Sequence, residues 1–366
     1  MGSNGHDEPW VNWAGTVQCR PSFESAPETF GIATAIADAR TKGMIVRPRG
    51  SGHSFVPLCA SDGHMLGPEG LQGILSIEPA ERRARILSGT VIAELGEPLN
   101  AAGLALSNQG DIDAQTIAGA IATGTHGTGS RLGNLSTQLA AITMVTASGQ
   151  TISLSPEEDR RLFEAAGVSL GSLGMFVDVT LNLLPRYRLR EVNLILEVNE
   201  CCAAFPLMAR NRRHIEFFWL PHFDQCVVKS LMRANAAGPL ETIPDSPLPP
   251  PGTPERYLRP SRTDWSHRIF PSKRTVRFNE MEFAVPIDRG LDCFLEIREL
   301  IRSDFPSVHW AVEYRTVAAD TFFLSQAYGG DMACISVHDE AQSDWDPFFR
   351  AAQELFLDHG GRPHWG

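Results

Sequence analysis

The stretch SNQGDIDAQTIAGAIATGTHGTGS, residues 107–130, constrains this chain more than any other. Glycines at 110, 119, 124, 127 and 129 are interleaved with Thr116, Thr123, Thr125 and Thr128. Backbone N–H groups and hydroxyls are thereby brought within close reach of a partner, as a bound pyrophosphate requires. Taken by itself, the composition also fits a set of tight turns. It is not the dinucleotide fingerprint of a doubly wound sheet: Gly124-Thr-His-Gly127-Thr-Gly129 reverses the expected glycine order, and no acidic residue follows a βα unit at the right place. A second glycine loop, RPRGSGHSF at 47–55, leaves a short strand (IVRP) and holds His53 beside Ser54.

The 366 residues exceed the usual size of one core and suggest two domains. A net charge of -11 repels phosphate backbones and anionic lipid, so neither nucleic acid nor a membrane surface is an expected partner. Cysteines at 19, 59, 201, 202, 226, 293 and 334 show no C-x2-C pair, so no metal site is expected and reduced thiols in a cytoplasmic protein are. The start MGSNGHDEPW has no basic region followed by an apolar one, and no stretch is apolar for the length of a membrane span. His6 stands where a myristoylation motif needs Ser or Thr.

Periodicity predicts a helix within 27–44, a hairpin from ILSIE and ARILS followed by a helix over IAELGEPLNAA, paired strands around Ser148-Gly149, and an alternating strand MFVDVTLNLLP. After Pro185 the pattern changes to strands at 190–200, 215–221 and 275–287, with helices at 201–213 and 290–305, a sheet-plus-helix domain of its own. Between them, PLETIPDSPLPPPGTPERYLRP (239–260) carries too many prolines for a helix or central strand and reads as an ordered surface loop.

RPRGSGHSF, GDIDAQTIAGAIATGTHGTG and SLGSLGMFVDVTL occur in one order along the chain, and AVEYR (311–315) follows them. In this they resemble flavoprotein oxidases of the vanillyl-alcohol-oxidase type, and within these the sugar-1,4-lactone and alditol oxidases. The resemblance implies an α+β fold of two domains: an FAD-binding domain of the PCMH type at 1–188 and an α+β substrate, or cap, domain at 189–345. A segment beginning at 346–366 would return to the first domain. It further implies FAD held by Arg49, Gly50, Ser51, Gly52 and Ser54, with His53 joined covalently to the flavin. Gly110, Asp111, Thr116, Gly119, Thr123, Gly124, Thr125, His126 and Gly127 would line the cofactor, and Gly174 with Val177 would meet its adenine side. His126 is given no catalytic role. Gly110 falls where a poorly oxygen-reactive relative carries alanine, which favours O2 as acceptor and hydrogen peroxide as product; Asp111 replaces a substrate-facing serine of the alditol branch.

If AVEYR is a strand, Glu313 and Arg315 project from one face and Val312 and Tyr314 from the other. Facing a flavin cleft, Arg315 would bind a substrate oxygen and Glu313 would orient or deprotonate a hydroxyl. On the next strand, DMACISVHDE, His338 is expected to face substrate. The implied reaction is hydride transfer from a sugar lactone or polyol to flavin N5. Related oxidases continue past HWG with lysine, so the chain, ending at GGRPHWG, is expected to be incomplete.

Overall fold

The computed structural model describes residues 9–25, 29–234, 261–272, 274 and 276–366. The proline-rich stretch 239–260 lies outside the described residues. The fold is α+β and is built around two sheets.

In the first body, antiparallel strands run in the order Thr151–Leu154, Leu139–Thr146, Gly174–Asn182, Arg83–Leu87, Ile74–Glu78. The two expected hairpins form its edges. Ile86, Ile142, Met144 and Val179 on one face meet Leu95, Leu99 and Ile121 from the helices Ile92–Ala101 and Ile117–Ala122. A smaller parallel sheet has His64–Gly67 between Ser22–Ser25 and Val46–Pro48. The strand ends at Pro48, Arg49 N makes the last hydrogen bond to Leu66 O at 2.9 Å, and the glycine loop begins.

In the second body eight strands run in the order Arg262–Trp265, Arg188–Glu197, Gln225–Arg233, His214–Leu220, Val312–Val317, Met332–Glu340, Phe278–Pro286, Arg362–Pro363. Period-two alternation divides this sheet sharply. One face carries Phe217, Trp219, Tyr314, Ile335 and Phe283 against the helices Val198–Asn211, Gly290–Ser303 and Asp346–Asp358. Phe217 stacks on Tyr314 with ring centroids 4.8 Å apart. Each such buried side chain stabilises the fold by about 1.5–3 kcal/mol, and this face can thereby support an unfavourably charged one behind it. Cross-strand register puts Glu313, Ser336 and Glu282 in one row, with Arg315 and Cys334 on one side of it and His338 and Glu280 on the other. All of them point toward the first body.

The sequence reading omits the strand Gln225–Arg233 and the helices Pro156–Gly167 and Asp346–Asp358. It also sends 346–366 back to the first domain. Instead, Phe348, Phe349 and Phe356 bury that helix in the second core, and Arg362–Pro363 extends the second sheet. Within the segment it is Trp365 that joins the first core, its Nε1 donating to Leu324 O at 2.7 Å. The seven cysteines are free thiols. Among the described residues, no helix is long and apolar enough to cross a membrane.

The glycine- and threonine-rich stretch lies between the bodies. Gly129 N donates to Thr316 O at 2.8 Å, Thr128 Oγ1 to Ile215 O at 2.5 Å and Ser130 Oγ to Ala209 O at 2.7 Å. A Cβ on Gly129, which has φ +140°, would meet Arg213 O at 2.6 Å, so glycine is required by the close approach.

Candidate active site

Two cavities meet at His53. The first is a narrow cleft of about 110 Å³, walled by the loop Pro48–Ser54, Thr116, Gly119, Thr123 and Gly174. The loop is fastened to the next segment by Thr116 N, which donates to Ser51 Oγ at 2.9 Å. Small residues are obligatory here: a Cβ on Gly50 would lie 2.5 Å from Thr116 Oγ1, and one on Gly174 would lie 2.3 Å from Val145 O. His53 Nδ1 is buried and has no hydrogen-bond partner among the described residues. Trp13 stacks on its ring at 5.6 Å between centroids, and burial lowers its pKa, favouring the neutral imidazole. A cradle of backbone and glycine beside an unsatisfied neutral imidazole fits a flat, pyrophosphate-linked cofactor with one nucleophilic attachment point.

The second cavity is a chamber of about 600 Å³. From the first body it takes His53, Gly110, Asp111, Thr125 and His126; from the second it takes Arg274, Glu280, Glu282, Glu313, Arg315 and His338. Glu282 is its hub. Oε1 lies 2.6 Å from His126 Nε2, while Oε2 accepts from Ser336 Oγ at 2.7 Å and from Arg315 Nη2. Arg315 Nε lies 3.6 Å from Glu313 Oε1. His338 Nδ1 donates to Ala311 O at 2.8 Å, which aims Nε2 at Glu280 Oε1, 3.5 Å away. Arg274 pairs with Asp111 across the two bodies.

Burial and neighbouring charge push these groups apart. For Glu282, burial would raise the carboxyl, but Arg315 and His126 outweigh it and hold it well below the usual carboxylate range. Burial likewise opposes charge on His126, and Glu282 overcomes it, raising the imidazole well above its ordinary value. Glu313 behaves oppositely. Burial, opposed by Arg315 and reinforced by Glu216, Asp111 and Glu280, pushes it up to about 8. Two carboxyls two strands apart in one row therefore differ in protonation at neutral pH, an arrangement suited to acid–base work.

Arg49, Gly50, Ser51, Gly52, Ser54, Thr116, Gly119, Thr123 and Gly174 line the cleft, and His53 lines both cavities. Gly110, Asp111, Thr125 and His126 wall the chamber together with Glu313, Arg315 and His338. Gly124, Gly127 and Val177 line neither. Gly124 packs under Gln326, Gly127 under Gln109 O, and Val177 in the core with Ile32 and Leu66. Sequence reasoning missed Arg274, Glu280, Glu282 and Ser336. The legible signal was FNEMEF, where two glutamates at i and i+2 share one face of a mainly apolar strand.

The D-arabinono-1,4-lactone oxidase family matches residues 179–247 and 255–366, and the FAD binding domain matches residues 29–155. An L-gulono-1,4-lactone dehydrogenase of Mycobacterium tuberculosis is 33% identical over 98% of this chain and 89% of its own length. The chain belongs to the FAD-binding sugar-1,4-lactone oxidoreductase family. An L-gulonolactone oxidase of Scyliorhinus torazame, 27% identical over 97% of this chain and 88% of its own length, carries the same kind of name. Cholesterol oxidase from Brevibacterium sterolicum superposes with a TM-score of 0.81 over 98% of this chain and 85% of its own, at 17% identity, and so shares the fold.

Proposed function

We propose that the chain oxidises a hydroxyl of a sugar-derived 1,4-lactone, of the D-arabinono or L-gulono type, with O2 as acceptor and hydrogen peroxide as product. The observation that carries this reading is Glu313 beside Arg315, two ionisable groups on a buried strand facing the chamber that meets the cleft at His53. FAD, when bound, supplies the acceptor for a hydride from the carbinol carbon and a route for two electrons to O2. Glu313 in its ionised form takes the hydroxyl proton as the C–O bond becomes a carbonyl. Arg315 donates to a substrate oxygen and stabilises the negative charge that develops there. His338, oriented by Ala311 O, faces the substrate from the next strand. His53 is the residue for covalent attachment of the flavin, and the free thiols accord with work in the cytoplasm.

Gly110 supports O2 as acceptor. It is buried at the chamber wall, where a Cβ would press on His126 O at 3.2 Å and Thr125 Cγ2 at 3.3 Å. A second reading, a dehydrogenase passing electrons to a quinone or cytochrome, is favoured by the name of the M. tuberculosis relative. Purified protein tested against a panel of lactones and polyols, with oxygen uptake and dye reduction followed in parallel, separates the two. Lactone-dependent oxygen uptake is expected, and dye reduction without it would establish the dehydrogenase. After acid denaturation the flavin is expected to stay on the polypeptide and to be lost in His53→Ala; complete release from the unaltered protein would refute attachment.

A further inference from the structure

Glu282 touches both bodies and is held by three hydrogen bonds. Both of its oxygens are engaged and its side chain is 4% exposed. The geometry around it also fixes a charge. His126 Nδ1 lies 2.7 Å from Gly127 O, which can only accept, so Nδ1 carries a proton. Nε2 faces a carboxylate oxygen, which also only accepts, so Nε2 carries one too. The ring is an imidazolium wedged between the two sheets. On Arg315, Nη2 alone makes hydrogen bonds among the described residues, to Glu282 and Ser336, which leaves the outer edge of the guanidinium turned to the chamber.

We propose that Glu282 is the positioning residue of this site: it aims the Arg315 guanidinium at the substrate and keeps His126 doubly protonated at the junction of the two bodies. This rests on the chamber being the site of lactone oxidation. The groups facing His126 are Glu282 from the strand Phe278–Pro286, Cys334 from the strand beside it, Arg315 from the strand after that, and His364 from the terminal segment. Arg315 opposes the charge on His126. Burial keeps the Cys334 thiol neutral, and burial with His126 and Arg315 keeps His364 neutral, lowered to about 4. Glu282 is therefore the anion that sustains the imidazolium.

Glu282→Gln tests this without emptying the site. Its amide nitrogen can donate to His126 Nε2, which must then accept, so the ring becomes neutral while the amide oxygen still accepts from Arg315 and Ser336. Nitrogen NMR of histidine-labelled protein is expected to show His126 doubly protonated at pH 8 in the unaltered chain and singly protonated in the variant. Kinetically, Glu282→Gln is expected to lower kcat/KM on a sugar lactone about 100-fold. Arg315→Ala should lose at least as much, and the double variant no more than Arg315→Ala alone, because Glu282 works through Arg315. A singly protonated His126 in the unaltered protein, a reading that needs no variant to fold, overturns the proposal. So do losses that multiply in the double variant. A protein inert toward every lactone, yet with His126 losing its charge only in Glu282→Gln, would overturn the lactone reading and leave this role of Glu282 in place.

Discussion

From Pro48 to Gly174 the cleft presents mainly backbone and small side chains, whereas beyond His53 the chamber is walled by Asp111, Arg274, Glu280, Glu282, Glu313, Arg315 and His338. The cleft is defined by shape: its walls are largely main chain that any residue supplies, provided no Cβ intrudes. The chamber is defined by charge, and its geometry depends on partners on other strands. The difference teaches that damage to the two should be separable, occupancy failing in one and rate and pH dependence in the other.

The largest expected effect is at Glu313. Glu313→Gln should lower kcat by about 10²- to 10⁴-fold while bound flavin stays unchanged. In the unaltered protein kcat/KM should rise with pH until Glu313 ionises near 8, and in the variant that rise should vanish. The same substitution should stabilise the fold. The unfolded chain releases this proton near 4.5, the folded chain keeps it to about 8, so stability is lost as pH rises between those values. Melting at pH 5 and pH 8 should show the variant ahead at pH 8, by on the order of 1–3 kcal/mol. A rate within a few-fold of the original would break the division of labour.

Gly50→Ala sharpens it from the other side. Its Cβ would collide with Thr116 Oγ1, a cost of about 1–3 kcal/mol that should appear as a lower flavin-to-protein ratio after purification. Protein that still carries flavin should keep its pH profile; a displaced profile would mean that cleft and chamber are coupled. Gly110→Ala should have the smallest effect: oxygen-coupled turnover falls, measured beside dye-coupled turnover that does not.

The same contrast explains what the sequence disclosed. Glycine loops are legible because few other residues tolerate such approaches, so RGSGHS and the 107–130 stretch pointed to the cleft directly. AVEYR was legible because alternation assigns faces within a strand. Glu282 was not, since its partners His126, Arg315 and Ser336 come from separate segments and register alone makes them neighbours. Arg274 follows a proline-rich stretch with no periodicity from which to place it. The return of 346–366 to the first body was implied by the resemblance alone; Phe348 and Phe356 bury the helix Asp346–Asp358 in the second core instead.

Gly129 is bonded to Thr316, the residue after Arg315, and Thr128 and Ser130 fasten the same short stretch to Ile215 and Ala209. A hinge opening between the bodies would have to break all three bonds together with the buried cluster of Asn134, Asp320 and Ser325. The two bodies are therefore pinned to one another at several buried points at once, so that side-chain rotation, on the picosecond-to-nanosecond scale, is an easier change at the chamber than a swing of one body against the other.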